Sequence, residues 1–378
     1  MRPADIGDLA EIIAGAAASG DRLELRGGGS KADIGAPRQA TVVEMTGFSG
    51  VIDYDPAELV LTAGAGTPLA EIEALVLAEG QMLAFEPFDH GPIFGCLSGF
   101  ATIGGVIAAG VSGSRRVSRG AARDHLLGFK AVSGRGEAFV GGAKVVKNVT
   151  GYDLPKLLTG GWGRLAAMTE VTLKVLPRPQ VTLTLALEGL EPRAAQAAMS
   201  RAMGSQADVA AAGHAPGFTA FRLEGFGPSV TARLAALEAL LADFGKAEAL
   251  PDAGAQAFWR GVRDLGALAD GRPLWRVSTP PSRACEIVEV LDPLGAIWLM
   301  DWAGGLVWLT FDGEPAVIRG AAEAVGGHAA LVRGSEDLRA RVPALHPQPP
   351  GVRALESRVR GAFDPSGVFE TGRFLDAD

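Results

Sequence analysis

The 378 residues carry 35 Lys and Arg against 43 Asp and Glu, a formal net charge of −8, with 48% hydrophobic and 21% charged residues. Such a chain is long enough for two or three domains, and its acidic balance weighs against nucleic acid as a partner. No apolar run approaches a membrane-spanning length, and the two cysteines, Cys96 and Cys285, supply no CxxC pair for an iron–sulfur cluster or zinc ribbon.

Residues 4–18 predict an amphipathic helix that lacks the basic flank and unbroken apolar run of a signal peptide. "LELRG", "TVVEM", "LVLTAGAG", "FKAVSG" and "EVTLKVLP" predict short buried strands, with a second helix over 68–80. Pro177 and Pro179 mark a boundary, so residues 1–178 are expected to form a first domain.

Residues 181–333 alternate strand and helix twice. "VTLTLALEG", an Ala-rich helix near 191–204, a strand near 208–212, "FTAFRLEGF", a helix at 228–244 and "KAEAL" make one βαββαβ pass. "PLWRVST", a helix near 281–291, "AIWLMDW", "GLVWLTF", a helix near 314–325 and "HAALV" make a second, less complete pass. The expected fold class is therefore α+β, with a separate second domain over 181–333. A Pro-rich linker at 335–350 and a terminal helix closed by a Pro-Gly turn complete the chain.

"LRGGGSKADIG" at 25–35 places three glycines directly after a strand. A glycine triplet costs chain entropy and adds no packing, and alone it is compatible with a turn that binds nothing. It opens no long helix and lacks Gly-Lys-Ser/Thr, so it is neither a dinucleotide fingerprint nor a Walker loop. Three further small-residue sites follow: "TAGAGTPLAEI", "TIGGVIAAGVSGSRR" and "TGGWGRLAAMTEVTLKVLP". Together they suggest one extended ligand crossing a domain, with bare backbone N–H groups suited to a pyrophosphate and small residues suited to a flat ring.

"RGGGS", "TIGGVIAAGVSG", "NVTGYDLPKLLTG" and "GWGRLAAMTEVTLKVLP" resemble the FAD-binding domain of the vanillyl-alcohol oxidase/p-cresol methylhydroxylase (PCMH) superfamily. Within it, "GSRRVSRGAARDHLLGFKAVSGRGE", "KVVKNVTGYD" and "FDPSGVFETGRF" extend the resemblance over nearly the full length to the FAD-binding subunit (E subunit) of bacterial glycolate oxidase. The resemblance implies a two-part PCMH-type FAD domain over 1–178, a cap domain with ferredoxin-like repeats over 181–333, and a segment 335–378 that returns to the FAD domain.

It further implies that Arg26, Gly27, Gly28, Gly29 and Ser30 form the pyrophosphate loop. Thr102, Gly104 and Gly105 would run along the pyrophosphate and the inner edge of the flavin, with Ser112 and Gly113 near the isoalloxazine. Gly163 and Leu165 would approach the nucleotide, with Thr169 and Val171 beside the adenine. Asp124, Asn148 and Tyr152 are further candidates for which structural roles stay open. Arg115, Arg116, Arg119 and Arg123 form a basic run that is either a solvated loop, an anion contact or a dock for an acidic partner. Ser30 stands where some relatives carry a His that attaches FAD covalently, so a non-covalent FAD is implied. His90 lies near the second glycine site without a motif for such a bond.

Hydroxyacid-oxidising relatives carry a His-rich segment in the second domain, where "AIWLMDWAGGLVWLTF" here has Asp301, three tryptophans and no His. His125, His214, His328 and His346 are scattered singly. No catalytic residue or metal ligand is assigned. The implied function is an FAD subunit acting beside a catalytic FAD subunit and an iron–sulfur subunit that oxidise a small 2-hydroxy acid. The expected setting is the cytoplasm, with at most peripheral membrane association. A self-sufficient 2-hydroxyacid dehydrogenase and a flavin-free assembly scaffold are the alternatives.

Overall fold

The computed structural model describes residues 1–143 and 152–374. The first part is built on a five-stranded antiparallel sheet in the order Val51–Asp55, Val60–Gly64, Ala166–Lys174, Leu126–Ser133 and Ala138–Gly142. Its central strand, Ala166–Lys174, is buried along most of its length, with two threonines among its buried positions. Beside the sheet, Leu23–Arg26 pairs in parallel with Thr41–Glu44, and this small ribbon points the glycine loop at 27–29 into a groove.

Helix Ile6–Ser19 is set by local chemistry. Asp5 caps it by accepting from the amides of Gly7 and Asp8, and Gly20, at φ 81°, ends it in the left-handed region. The stretch expected as a bare loop at 102–113 contains helix Ile103–Ala109, capped by the Thr102 side chain. Its small residues let the helix lie against neighbouring backbone: a Cβ on Gly104 would stand 2.6 Å from the carbonyl oxygen of Ala65.

The second part is an eight-stranded antiparallel sheet. Its order is Ala247–Ala249, Val181–Glu188, Phe218–Gly225, Val209–Ala215, Ile297–Asp301, Leu306–Thr310, Leu274–Ser278 and His328–Arg333. Each half of that order is a βαββαβ unit, with helices Pro192–Met203 and Gly227–Leu241 in one and Ala284–Leu291 and Pro315–Ala324 in the other. The second pass is therefore complete, and the two units join edge to edge where His214 pairs with Met300.

Strand alternation divides the roles of the two faces. Phe221, Leu223, Trp275, Val277, Val307 and Leu309 pack under the helices, whereas Leu274, Leu306 and Trp308 join the apolar cluster of the first part. Two strands are invisible to the sequence reading. Val51–Asp55 is solvent-facing and acidic, and Ala138–Gly142 ends in two glycines. Helix Asp252–Arg263 was also unforeseen; it buries Trp259 and Val262 only.

The terminal segment holds helix Pro350–Phe363, and the expected linker contains a short helix, Glu336–Arg341. Beyond them, the Asp364 carboxylate accepts from the amides of Val368 and Phe369, and both side chains are buried with Leu9 and Leu23. Arg164 reaches across to Glu356 and Glu370.

Candidate functional site

The glycine loop, helix Ile103–Ala109, Trp162, Gly163, Ala166, Met168 and Arg373 line a groove of about 770 Å³. Its floor is backbone in close approach. A Cβ on Gly27 would stand 2.3 Å from Thr102 Oγ1, and one on Gly28 only 1.6 Å from the carbonyl oxygen of Phe100. Gly29 is glycine for a different reason, its φ of 79°. Among the described residues, the amides of Gly28, Gly29 and Ser30 donate to no protein acceptor. A row of unpartnered N–H groups on bare backbone is an anion cradle.

Arg26, Lys31 and Arg373 add positive charge to the groove. Arg26 is paired with Glu24 at 3.1 Å. Arg373 is donated by the terminal segment; its Nε bonds the carbonyl of Ile34 at 2.9 Å and its guanidinium lies 4.8 Å from the Trp162 ring centre.

Ala109 and Trp162 also line a second chamber of about 1110 Å³, so the groove and the chamber adjoin at these two residues. Phe88, His90, Ser112, Arg116, Arg123, Arg276 and Trp308 line the chamber, and no carboxylate does so among the described residues. Arg276 and Arg116 lie 5.1 Å and 4.3 Å from the ring centre of Trp302. Burial, reinforced by Arg116, pulls Arg276 down to about 10. His90 stacks on Phe88 at 4.5 Å, and its Nδ1 has no partner. Burial, then the charge of Lys31, holds this imidazole well below its usual range, so it is neutral at pH 7.

The structure gathers Arg26, Gly27, Gly28, Gly29, Ser30, Thr102, Gly104, Gly105 and Gly163 in the groove and Ser112 in the chamber. It places other candidates elsewhere. Gly113 borders a separate cleft, where a Cβ would stand 2.7 Å from the carbonyl of Glu86. Leu165 is core, and Val171 is buried in the central strand. Thr169 is the extra residue of a bulge and bonds the carbonyl of Lys130, while Ala166 and Met168 of the same strand face the groove. Asp124 accepts from the amide of Ala121 at 2.9 Å and so ties the start of a short helix. Tyr152 is 90% exposed, and Asn148 lies outside the described residues.

The arginine run is divided. Arg116 and Arg123 line the chamber, and Arg119 is exposed. Arg115 turns away into a buried quartet: its guanidinium lies 2.6 Å from both Glu86 Oε1 and Glu224 Oε1, and Arg222 pairs with Glu86 at 2.6 Å. Asp301 does not reach the chamber. It accepts from Ser114 Oγ at 2.9 Å and from the Trp302 amide at 2.7 Å, and burial pushes it up to about 7 against those bonds. The sequence reading missed Lys31, Trp162, Arg276 and Arg373. A single charge inside the apolar strand "PLWRVST" was the one available signal for Arg276.

The FAD binding domain family matches residues 1–142. The fold is shared with p-cresol methylhydroxylase, at a TM-score of 0.74 and 13% identity over 100% of this chain and 89% of that one. Alkyldihydroxyacetonephosphate synthase shares it at a TM-score of 0.67 and 14% identity, over 98% and 76% of the two chains. The molecule thus carries an FAD binding domain in a fold shared with p-cresol methylhydroxylase. Glycolate oxidase subunit GlcE of Escherichia coli (strain K12) is 34% identical over 93% of this chain and 92% of its own length, and the chain belongs to that family. D-lactate dehydrogenase of Archaeoglobus fulgidus is 29% identical over 50% of this chain and 40% of its own. Among the described residues no helix is long and apolar enough to cross a membrane.

Proposed function

We propose that this chain binds FAD non-covalently along the groove and chamber and serves as a flavoprotein subunit of a complex that oxidises glycolate to glyoxylate. The observation that carries the reading is the bare loop of 28–30, whose amides have no acceptor among the described residues, in a groove that adjoins an arginine-lined chamber. On this reading Arg26 to Ser30, Thr102, Gly104 and Gly105 hold the pyrophosphate. Ser112 lies near the isoalloxazine, and Ala166 and Met168 border the nucleotide in place of Thr169 and Val171. FAD supplies the hydride- and electron-accepting chemistry. The protein supplies Arg276 and Arg116, which make no ion pair among the described residues and keep the chamber cationic. On this reading electrons pass to an iron–sulfur partner of the complex, and the two widely separated cysteines of this chain provide no cluster site of its own.

Purified protein is expected to be yellow, and acid precipitation should release the colour into the supernatant. Colour retained in the pellet overturns the non-covalent reading. Mixed anaerobically with millimolar glycolate or D-lactate, the isolated holoprotein should reduce its flavin at a negligible rate. Asp301 and Tyr152 do not line the chamber, and His90 has no carboxylate to orient it. Activity should appear only when partner subunits are added. The chamber arginines and the neutral His90 favour a second reading, a self-sufficient dehydrogenase. Bleaching within seconds, abolished by His90→Ala, would establish that reading instead.

A further inference from the structure

Lys31 follows the glycine loop and lines the groove, yet its side chain is nearly sequestered, with the residue only 9% exposed. Among the described residues its Nζ makes one hydrogen bond, to Ser30 Oγ at 3.3 Å, and no ion pair. A buried ammonium without a counter-ion is unfavourable, and nothing in the fold requires one at this position.

No acid forms an ion pair with it among the described residues. Asp89 offsets part of the cost through its charge, but its carboxylate is hydrogen-bonded to backbone rather than to the ammonium. Oδ1 accepts from Gly91 N at 2.9 Å, and Oδ2 accepts from Gly99, Phe100 and Ala101 N at 2.8, 3.1 and 3.3 Å. Arg373, from the terminal segment, donates to the carbonyl of Lys31 and brings a second cation. Arg26 lines the same groove, and neutral His90 lies on the chamber side. Glu24, the acid in the groove wall, is bonded to Arg26 and Arg38 at 3.1 and 2.7 Å.

We propose that Lys31 is kept without a protein counter-ion in order to ion-pair with the pyrophosphate of the bound dinucleotide, and that capture of the cofactor is therefore linked to one proton. The inference rests on the FAD reading above. The linkage has a definite sign. Burial pulls Lys31 down to about 8, with Asp89 opposing and Arg373 adding to the effect. The free protein loses the ammonium as pH rises through that value, whereas a neighbouring dianion favours the protonated form. Affinity should be constant below pH 8 and fall above it, by up to about tenfold per pH unit. The Asp89 clamp adds a positioning role: it fixes residues 99–101, whose Phe100 carbonyl abuts Gly28 and so holds the loop that precedes Lys31.

The test is titration of the flavin-free full chain with FAD, followed by flavin fluorescence from pH 6.5 to 9.5, for the parent, Lys31→Met and Lys31→Arg. Thermal unfolding of each flavin-free protein is measured alongside. Lys31→Met should bind FAD at least about tenfold more weakly at pH 7, with no slope above pH 8. Lys31→Arg should keep the affinity and also lose the slope, because guanidinium stays charged throughout. The flavin-free Lys31→Met protein should unfold no earlier than the parent, because a buried charge has been replaced by a side chain of similar volume. A lysine with a merely structural role would give the reverse pattern, early unfolding with the parent's FAD affinity. Equal FAD affinity and slope in parent and Lys31→Met overturn the inference while leaving the FAD reading intact. A parent protein that binds no FAD at pH 7 overturns both.

Discussion

Replacing Arg115 by methionine is expected to lower the unfolding free energy by about 3–5 kcal/mol, the usual cost of removing one member of a buried ion-pair network. Arg115 sits between two acids that have no other full set of partners. Its Nη1 meets Glu86 and its Nη2 meets Glu224, each at 2.6 Å, and its own amide donates to Glu86 Oε2 at 2.7 Å. The Glu224 side chain is fully buried, and its Oε2 already lacks a partner. Without the guanidinium, a charge is left in the junction between the two sheets. Arg222 shares Glu86 and lies over Trp259 at 4.3 Å, so the disturbance reaches the second sheet directly. Arg119, exposed and in no ion pair among the described residues, is the control: Arg119→Ala should change stability by less than about 0.5 kcal/mol. Urea unfolding of the three proteins decides the matter. A loss below about 1 kcal/mol for Arg115→Met would mean that the quartet behaves as a screened surface pair.

The second large effect is expected at Gly28. The Gly28→Val protein should bind FAD at least about tenfold more weakly, a loss of about 1.4 kcal/mol or more. A Cβ at this position would stand 1.6 Å from the carbonyl oxygen of Phe100, so the loop at 99–102 must move with any side chain placed there. That same loop carries Thr102, whose Oγ1 accepts from Gly105 N at 3.3 Å and caps the helix along the groove. The damage is therefore to the shape of the cradle itself. Gly29→Ala makes the contrast. Its Cβ would have Arg26 Cδ as nearest neighbour, at 3.8 Å, so the cost is confined to a φ of 79°, about 1 kcal/mol of stability. Fluorescence titration with FAD measures both variants. Unchanged affinity in Gly28→Val would place the pyrophosphate elsewhere.

The sequence by itself determined the parts of this protein that depend on near neighbours. Asp5 and Gly20 bracket a helix through their own backbone contacts. Alternating apolar positions made the strands of both βαββαβ units legible, because pleating sends successive side chains to opposite faces. The groove glycines were legible for a similar reason: bare backbone leaves its mark in residue type wherever the fold demands close approach. The tertiary structure decided which charges are used and by what. Arg115 and Arg116 are adjacent in the chain, yet one is bound to Glu86 and Glu224 and the other faces the chamber. Arg276 reaches that chamber only because the eight-stranded sheet turns one face toward the first part, and Arg373 reaches the groove only because the terminal segment folds back. Thr169 is set aside by a bulge that no local pattern announces, and Val171, beyond it, is buried in the core. Ionic partners separated by a hundred residues or more are chosen by burial and distance, and those quantities exist only once the chain is folded.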